Sequence, residues 1–399
     1  MRHVPSPRAA RRAAAGLLGL CAAVVPAGPA ALADSVQLPV VRAVLAPGDP
    51  CAGASGETAR EQPWTVRALG LSRAWSLSRG AGVTVAVVDT GVGTGVPALA
   101  GRVTAVDGAG DCVGHGSFAA GLVAGAPLDG VGPVGVAPGA RILAVRGTDD
   151  RGVATPARVA DGIRAAADGG ARVIYVAAAL PTGKSELTAA VAHAAGRDAL
   201  VVAPAAPDAL PVERVGGAPV VRPEPWYWPA AAPGVLSVSD YGPDGSRPED
   251  APVVGGVDLA APGDAVVGVG PKGSGHYLGS GASLAAAHVA GAAALVRARR
   301  PELTAAQTSQ QLTGTGYPAD PVRVDVYAAM TMVLDAGRAA PAPPPARMPP
   351  PPSAAPLNRA LVIGAVGGAL VLLVAAAAVV IPRGRARGWR AADTPYPAP

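Results

Sequence analysis

Residues 279–296 read Gly279-Ser280-Gly281-Ala282-Ser283-Leu284-Ala285-Ala286-Ala287-His288-Val289-Ala290-Gly291-Ala292-Ala293-Ala294-Leu295-Val296. Two glycines and two serines lead into a long run of small apolar side chains that ends at Arg297. The pattern predicts a tight turn followed by a buried helix, with Ser283 at the helix start. Backbone N–H groups and the positive end of the helix dipole converge at such a position. An oxyanion formed on an attacked carbonyl is stabilised there. Alone, a serine so placed is more often the N-cap of a core helix. Two segments upstream change that reading.

The first is Val83-Thr84-Val85-Ala86-Val87-Val88-Asp89-Thr90-Gly91, a β-branched apolar run ending in a carboxylate. Such a run predicts a strand buried on both faces, and a buried Asp at its end needs a partner. The second is Gly110-Asp111-Cys112-Val113-Gly114-His115-Gly116-Ser117, where one of five histidines stands between glycines at the start of a small-residue helix. A serine hydroxyl is a weak nucleophile until an imidazole removes its proton. A carboxylate then fixes the imidazole tautomer and stabilises its cation.

Together the three segments resemble the catalytic segments of the subtilisin-like (S8) serine proteases, in that family's chain order of Asp, His, Ser. The resemblance implies that Asp89, His115 and Ser283 form a catalytic triad, with the Ser283 backbone N–H as one oxyanion donor. No acidic cluster has the ligand spacing of a Ca²⁺ loop, so no metal is expected, and no cofactor.

Alternating patterns along the chain predict an α/β fold, a mostly parallel sheet with helices on both faces. Strands are expected at 172–179, 199–203, 235–239 and 257–261, and helices at 64–80, 155–169, 185–196 and 304–312. Sites in such sheets lie at the carboxyl ends of strands, where Asp89 falls.

Residues 1–33 read as a secretory signal, with Arg2, Arg8, Arg11 and Arg12 before an apolar stretch and a small-x-small cleavage site before Asp34. Its removal leaves Cys51 and Cys112. In an exported chain an isolated pair is most simply a disulfide, two free buried thiols being the alternative. Residues 34–78 form an N-terminal extension and 79–338 a peptidase domain. Residues 339–359 are a Pro/Ala-rich spacer, extended at ~3.1 Å per residue. Residues 360–381 carry no charge and suffice to span a bilayer. A basic tail, 382–399, follows with Arg383, Arg385, Arg387 and Arg390, so the positive-inside rule predicts a single-pass protein with its folded domain outside the cytoplasm.

The net charge of +5 conceals an uneven distribution. Four of 33 basic residues lie in the signal, four in the tail, and Arg359 borders the span, whereas of 28 acidic residues only Asp393 lies outside the exported domain. The exported part, spacer included, therefore holds 24 bases against 27 acids. A nucleic-acid partner is not implied.

Within the subtilisin-like proteases the chain most resembles the mycosins, membrane-anchored proteases of type VII secretion systems. Asp111-Cys112 just before the histidine motif, Cys51 in the extension and the stretches 134–138, 258–263 and 294–306 carry the likeness, as do the spacer, span and basic tail. The resemblance implies protein or peptide substrates, secretion-complex partners in the membrane, and an extension that stays and wraps the domain. Three features depart from the family: Ala282 and Ala287 stand where its serine motif has Thr and Pro, the substrate-binding strand over 173–180 lacks the usual polar Ser and Gly, and the oxyanion Asn is missing. An Asn side chain usually supplies the second oxyanion donor, yet the only Asn here is Asn358, beside the span. The matching strand instead runs into Ala205-Ala206-Pro207-Asp208, with Asp208 one residue past the expected Asn. A protonated Asp208 could donate in its place; a solvated loop Asp is the alternative. Two functions are therefore expected to compete: a weakly active endopeptidase, or an inactive relative that braces a secretion complex.

Overall fold

In the computed structural model, residues 36–106, 110–210, 212–215, 218–221, 223–249, 251–334 and 355–388 are described. The signal, the spacer up to 354 and the tail from 389, Arg390 included, lie outside them. The run before Asp89 forms β1 (Thr84–Asp89), buried from Val85 onward. After it come β2 (Val103–Ala105), β3 (Arg141–Arg146), β4 (Val173–Val176) and β5 (Leu200–Pro204). An antiparallel hairpin, β6 (Val212–Val215) and β7 (Ala218–Val221), precedes β8 (Leu236–Tyr241) and β9 (Leu259–Pro262). A second hairpin, β10 (Val266–Val269) and β11 (His276–Gly279), leads into the residues before Ser283.

The main sheet has seven strands in the order β2-β3-β1-β4-β5-β8-β9, and every pairing in it is parallel. Strand order runs outward in both directions from β1, which makes the carboxyl end of β1 the place where a crevice opens. Asp89 is the last residue of that strand.

The helices are α1 (Trp64–Ala68), α2 (Leu71–Ala74), α3 (His115–Ala124), α4 (Pro156–Asp168), α5 (Lys184–Gly196), α6 (Ala282–Arg299), α7 (Ala305–Gly314), α8 (Val326–Thr331) and α9 (Ala355–Ala386). One core layer packs α3 and α6 under the sheet, and the other covers its opposite face with α4 and α5. α6 is buried from Ala282 through Arg297. Its alanines leave no bulk between helix and strands, which permits so close a packing. Thr155 caps α4 through the amide of Arg158, and Thr304 caps α7 in a capping box with Gln307.

The expected helix over 64–80 is two short helices instead. Gly70, at φ 61°, adopts the left-handed conformation that ends α1. α9 runs beyond the expected span at both ends, and within it Arg359–Ala386 is long and apolar enough to cross a membrane.

Residues 36–61 contain no helix and lie along the peptidase domain. Val41 N–H donates to Leu278 O at 2.8 Å, Leu45 N–H to Arg151 O at 2.9 Å, and His276 N–H to Glu57 O at 2.8 Å. Cys51 is joined to Cys112 across a sequence separation of 61. A loop of this length gives a bridge worth roughly 4 kcal/mol in the chain-entropy account. The Cys51→Ser, Cys112→Ser double variant is expected to lose about that much stability in urea unfolding. An unchanged midpoint would show that the bridge closes no entropy-rich loop.

Candidate active site

Three elements bring the residues of the site together. β1 ends at Asp89, α3 begins at His115, and α6 carries Ser283 as its second residue. His115 Nδ1 lies 2.7 Å from Asp89 Oδ2, and His115 Nε2 lies 3.1 Å from Ser283 Oγ. All three are buried, at 2 %, 4 % and 1 % exposure in chain order. With Nδ1–H donated to the carboxylate, Nε2 is left to face the hydroxyl. Thr90 N–H donates to Asp89 Oδ1 at 2.7 Å, and the buried Tyr175 hydroxyl stands 3.5 Å from Asp89 Oδ2. Burial, together with the charge of Asp89, pushes the Tyr175 phenol well above the ordinary tyrosine range, so it stays a neutral donor.

Asp111, four residues before His115, organises the entry to α3. Its Oδ1 accepts from Thr90 Oγ1 at 2.9 Å, Val113 N at 3.1 Å and Gly114 N at 2.7 Å. Its Oδ2 accepts from the amide and hydroxyl of Ser117, at 2.8 and 2.7 Å. Thr90 Oγ1 in turn accepts from Gly116 N at 2.9 Å. The carboxylate thus satisfies amides at a helix N-terminus whose N-cap, Gly114, has no side chain. Sequence reasoning did not give Asp111 this role. The available signal was an acidic residue one turn ahead of a glycine-capped helix.

Asp208 stands directly at the nucleophile. Ser283 N–H donates to Asp208 Oδ1 at 2.9 Å, and Ser283 Oγ–H donates to Asp208 Oδ2 at 2.5 Å. Asp208 Oδ2 is also 3.6 Å from His115 Nε2. The residue lies on an exposed turn, yet its side chain is only 17 % exposed, so the carboxylate points inward rather than into solvent. The sequence suggested a hydrogen-bond donor here, yet an amide N–H can only donate, so Oδ1 is an acceptor. The carboxylate takes up the N–H that an oxyanion would need. Gly281, at φ 147°, makes room for it: a Cβ there would lie 2.2 Å from Asp208 Cγ.

Burial alone would push the His115 imidazole down. The charge of Asp89 and the nearby Asp208 carboxylate oppose this and carry it well above the ordinary histidine range. Held between two carboxylates, the ring is favoured as its cation, which cannot accept the serine proton. Among the described residues no group of three or more His, Cys, Asp or Glu could hold a metal ion.

Residues 80–328 match the subtilase (peptidase S8) family. Thermitase of Thermoactinomyces vulgaris is 34% identical over an alignment covering 65% of this chain and 92% of the relative. Mycosin-1 of Mycobacterium tuberculosis (strain ATCC 25618 / H37Rv) is 33% identical, covering 71% and 76%. A solved structure of the serine protease MycP1, described as an essential component of the type VII (ESX-1) secretion system, superposes with a TM-score of 0.60 at 28% identity. It covers 75% of this chain and 100% of its own.

Proposed function

The chain belongs to the subtilase family, and from that premise we propose that it is a membrane-anchored serine endopeptidase whose catalytic triad is Asp89, His115 and Ser283. The observation that carries this reading is the placement of His115 between Asp89 Oδ2 at 2.7 Å and Ser283 Oγ at 3.1 Å. Neutral His115 takes the Ser283 proton as Oγ attacks a peptide carbonyl, and Asp89 stabilises the imidazolium that forms. The tetrahedral oxyanion accepts from Ser283 N–H. His115 then gives its proton to the departing amine. In the second half, water loses a proton to His115 as it attacks the acyl-enzyme carbonyl; the bond from Ser283 Oγ to the acyl carbon then breaks, and His115 returns the proton to Oγ.

Asp208 makes this enzyme a slow one. Its carboxylate fills the oxyanion position and favours the protonated form of His115, so it must move aside or be neutralised before attack. The same contact favours a second reading, in which the domain is a catalytically weak or inactive brace of a secretion complex.

The likeness to mycosin-1 and to the MycP1 structure supports a place beside type VII secretion components in the membrane. α9 supports the anchoring: at ~1.5 Å per residue, the 28 residues of Arg359–Ala386 exceed the thickness of a bilayer core. Arg383, Arg385 and Arg387 at its end favour a cytoplasmic tail and a peptidase domain outside. The division into a signal at 1–33, an extension at 34–78 and a peptidase domain at 79–338 fits this topology.

Labelling with a fluorophosphonate separates the two readings. Folded wild-type protein is expected to carry the probe on Ser283, slowly, and Ser283→Ala to stay unlabelled. If wild-type and Asp208→Asn proteins both remain unlabelled while folded, the brace is the correct reading.

A further inference from the structure

A cavity of about 1170 Å³ opens beside Ser283, lined in part by Gly281 and Ala282, the two residues before the nucleophile. It sits past the carboxyl ends of β5, β8 and β9. Its lining includes four carboxylates, Asp208, Asp240, Asp264 and Asp320, against one guanidinium, Arg247. Arg247 and Asp320 are exposed. Asp264 Oδ1 accepts from Ala265 N at 2.9 Å, and Asp208 is engaged by Ser283.

Asp240 differs from the others. It is 8 % exposed, and its own backbone N–H donates to its carboxylate. Burial pushes its pKa up to about 6, with the charges of Asp208 and Asp264 acting in the same direction and Arg247 against them. Burying a carboxylate with no opposite charge against it is costly, and a cation brought to it offsets much of that cost. Val254 and Val257 on the wall offer apolar contact to a methylene stem.

We infer that this cavity is a specificity pocket for a lysine or arginine side chain flanking the scissile bond of the substrate, with buried Asp240 as its recognition group. The inference rests on the protease reading. Whatever the cavity holds lies next to the attacked bond, because the lining residues Gly281 and Ala282 run directly into Ser283. Charge selects the cation, and the cavity's volume and apolar wall residues Val254 and Val257 favour a long stem over a free small ion.

The test is binding to the full-length Ser283→Ala protein in detergent, measured by fluorescence polarisation. The probes are labelled peptides identical except for Lys, Arg, norleucine or Glu on either side of one central bond. Lys and Arg peptides are expected to bind about tenfold or more tightly than norleucine, the range of a charge-assisted contact. Asp240→Asn in the same background removes that preference and leaves norleucine binding unchanged. Should Asp240→Asn fail to fold, Asp264→Asn carries the test by shrinking the preference. Equal binding of Lys and norleucine peptides overturns the proposal, as does a preference that survives Asp240→Asn. Because the readout needs no turnover, an unlabelled Ser283 in the fluorophosphonate experiment would sink the protease reading and leave this measurement standing.

Discussion

Asp208→Asn raises kcat/KM on a peptide substrate by about 10²–10³, the loss that follows removal of a side-chain oxyanion donor in an enzyme of this kind. Two effects of the substitution act together. The amide removes the negative charge from the position where a tetrahedral oxyanion must form, and its NH₂ group can donate there. It also takes one of two carboxylates away from His115. The sign of the pH effect follows. The imidazole serves as base only when neutral, and its pKa is held well above the ordinary histidine range by Asp89 and Asp208. Activity of the wild type therefore rises only as pH climbs through that raised value. With Asp208 neutralised the pKa falls, and the alkaline-rising limb of kcat/KM moves toward neutral pH. Rate–pH profiles of both proteins, with Ser283→Ala as the blank, read both effects. An unchanged rate and an unchanged limb would mean that Asp208 leaves the oxyanion position free in solution.

Asp89→Asn has the larger effect and the opposite sign. In the Asp208→Asn background, where turnover is high enough to follow, it lowers kcat by about 10⁴. The introduced carboxamide can still receive the Thr90 amide on its carbonyl oxygen, so the local turn persists. What it lacks is the charge that stabilises the imidazolium, and its NH₂ can draw Nδ1 into accepting, which puts the proton on Nε2. Single-turnover acylation on a chromogenic peptide checks this, with the melting curve confirming the fold. A loss under tenfold would show that the Asp89–His115 contact of 2.7 Å contributes packing alone.

The parts of the fold legible in the sequence are those with strong local patterning. The run into Asp89 is β-branched almost throughout and buried on both faces, so β1 was readable. Residues 282–299 are small and apolar enough that only a buried helix accommodates them, and Thr155 and Thr304 marked their helix starts. The antiparallel hairpins were less legible for different reasons. Val212–Val215 and Ala218–Val221 flank a Gly-Gly pair, which is a hairpin signal, but Pro219 in the second strand obscures it. Val266–Val269 and His276–Gly279 are joined by a longer glycine-rich loop that fixes no register by itself.

At the site, sequence could name Asp89, His115 and Ser283 because each sits at the end of a patterned element. It could place Asp208 near the nucleophile, but not aim its side chain, since the turn after β5 is shaped by Pro207 and by tertiary contact with Ser283. Asp111 was harder still. Its five hydrogen bonds reach groups on Thr90, Val113, Gly114 and Ser117, and such convergence exists only once β1 and α3 have met.

The bridge between Cys51 and Cys112 also divides the chain into regions where a nick has different consequences. Scission before Cys51 frees a strip held only by contacts such as Val41 to Leu278 and Leu45 to Arg151. Scission anywhere from 52 to 111 frees nothing, because both fragments remain on one covalent graph through the sulfurs. Maturation by discarding a clamp segment therefore has one usable window, upstream of Cys51. Past it, a protease trimming this molecule produces an open loop on an undivided body, with the segment just ahead of His115 still anchored.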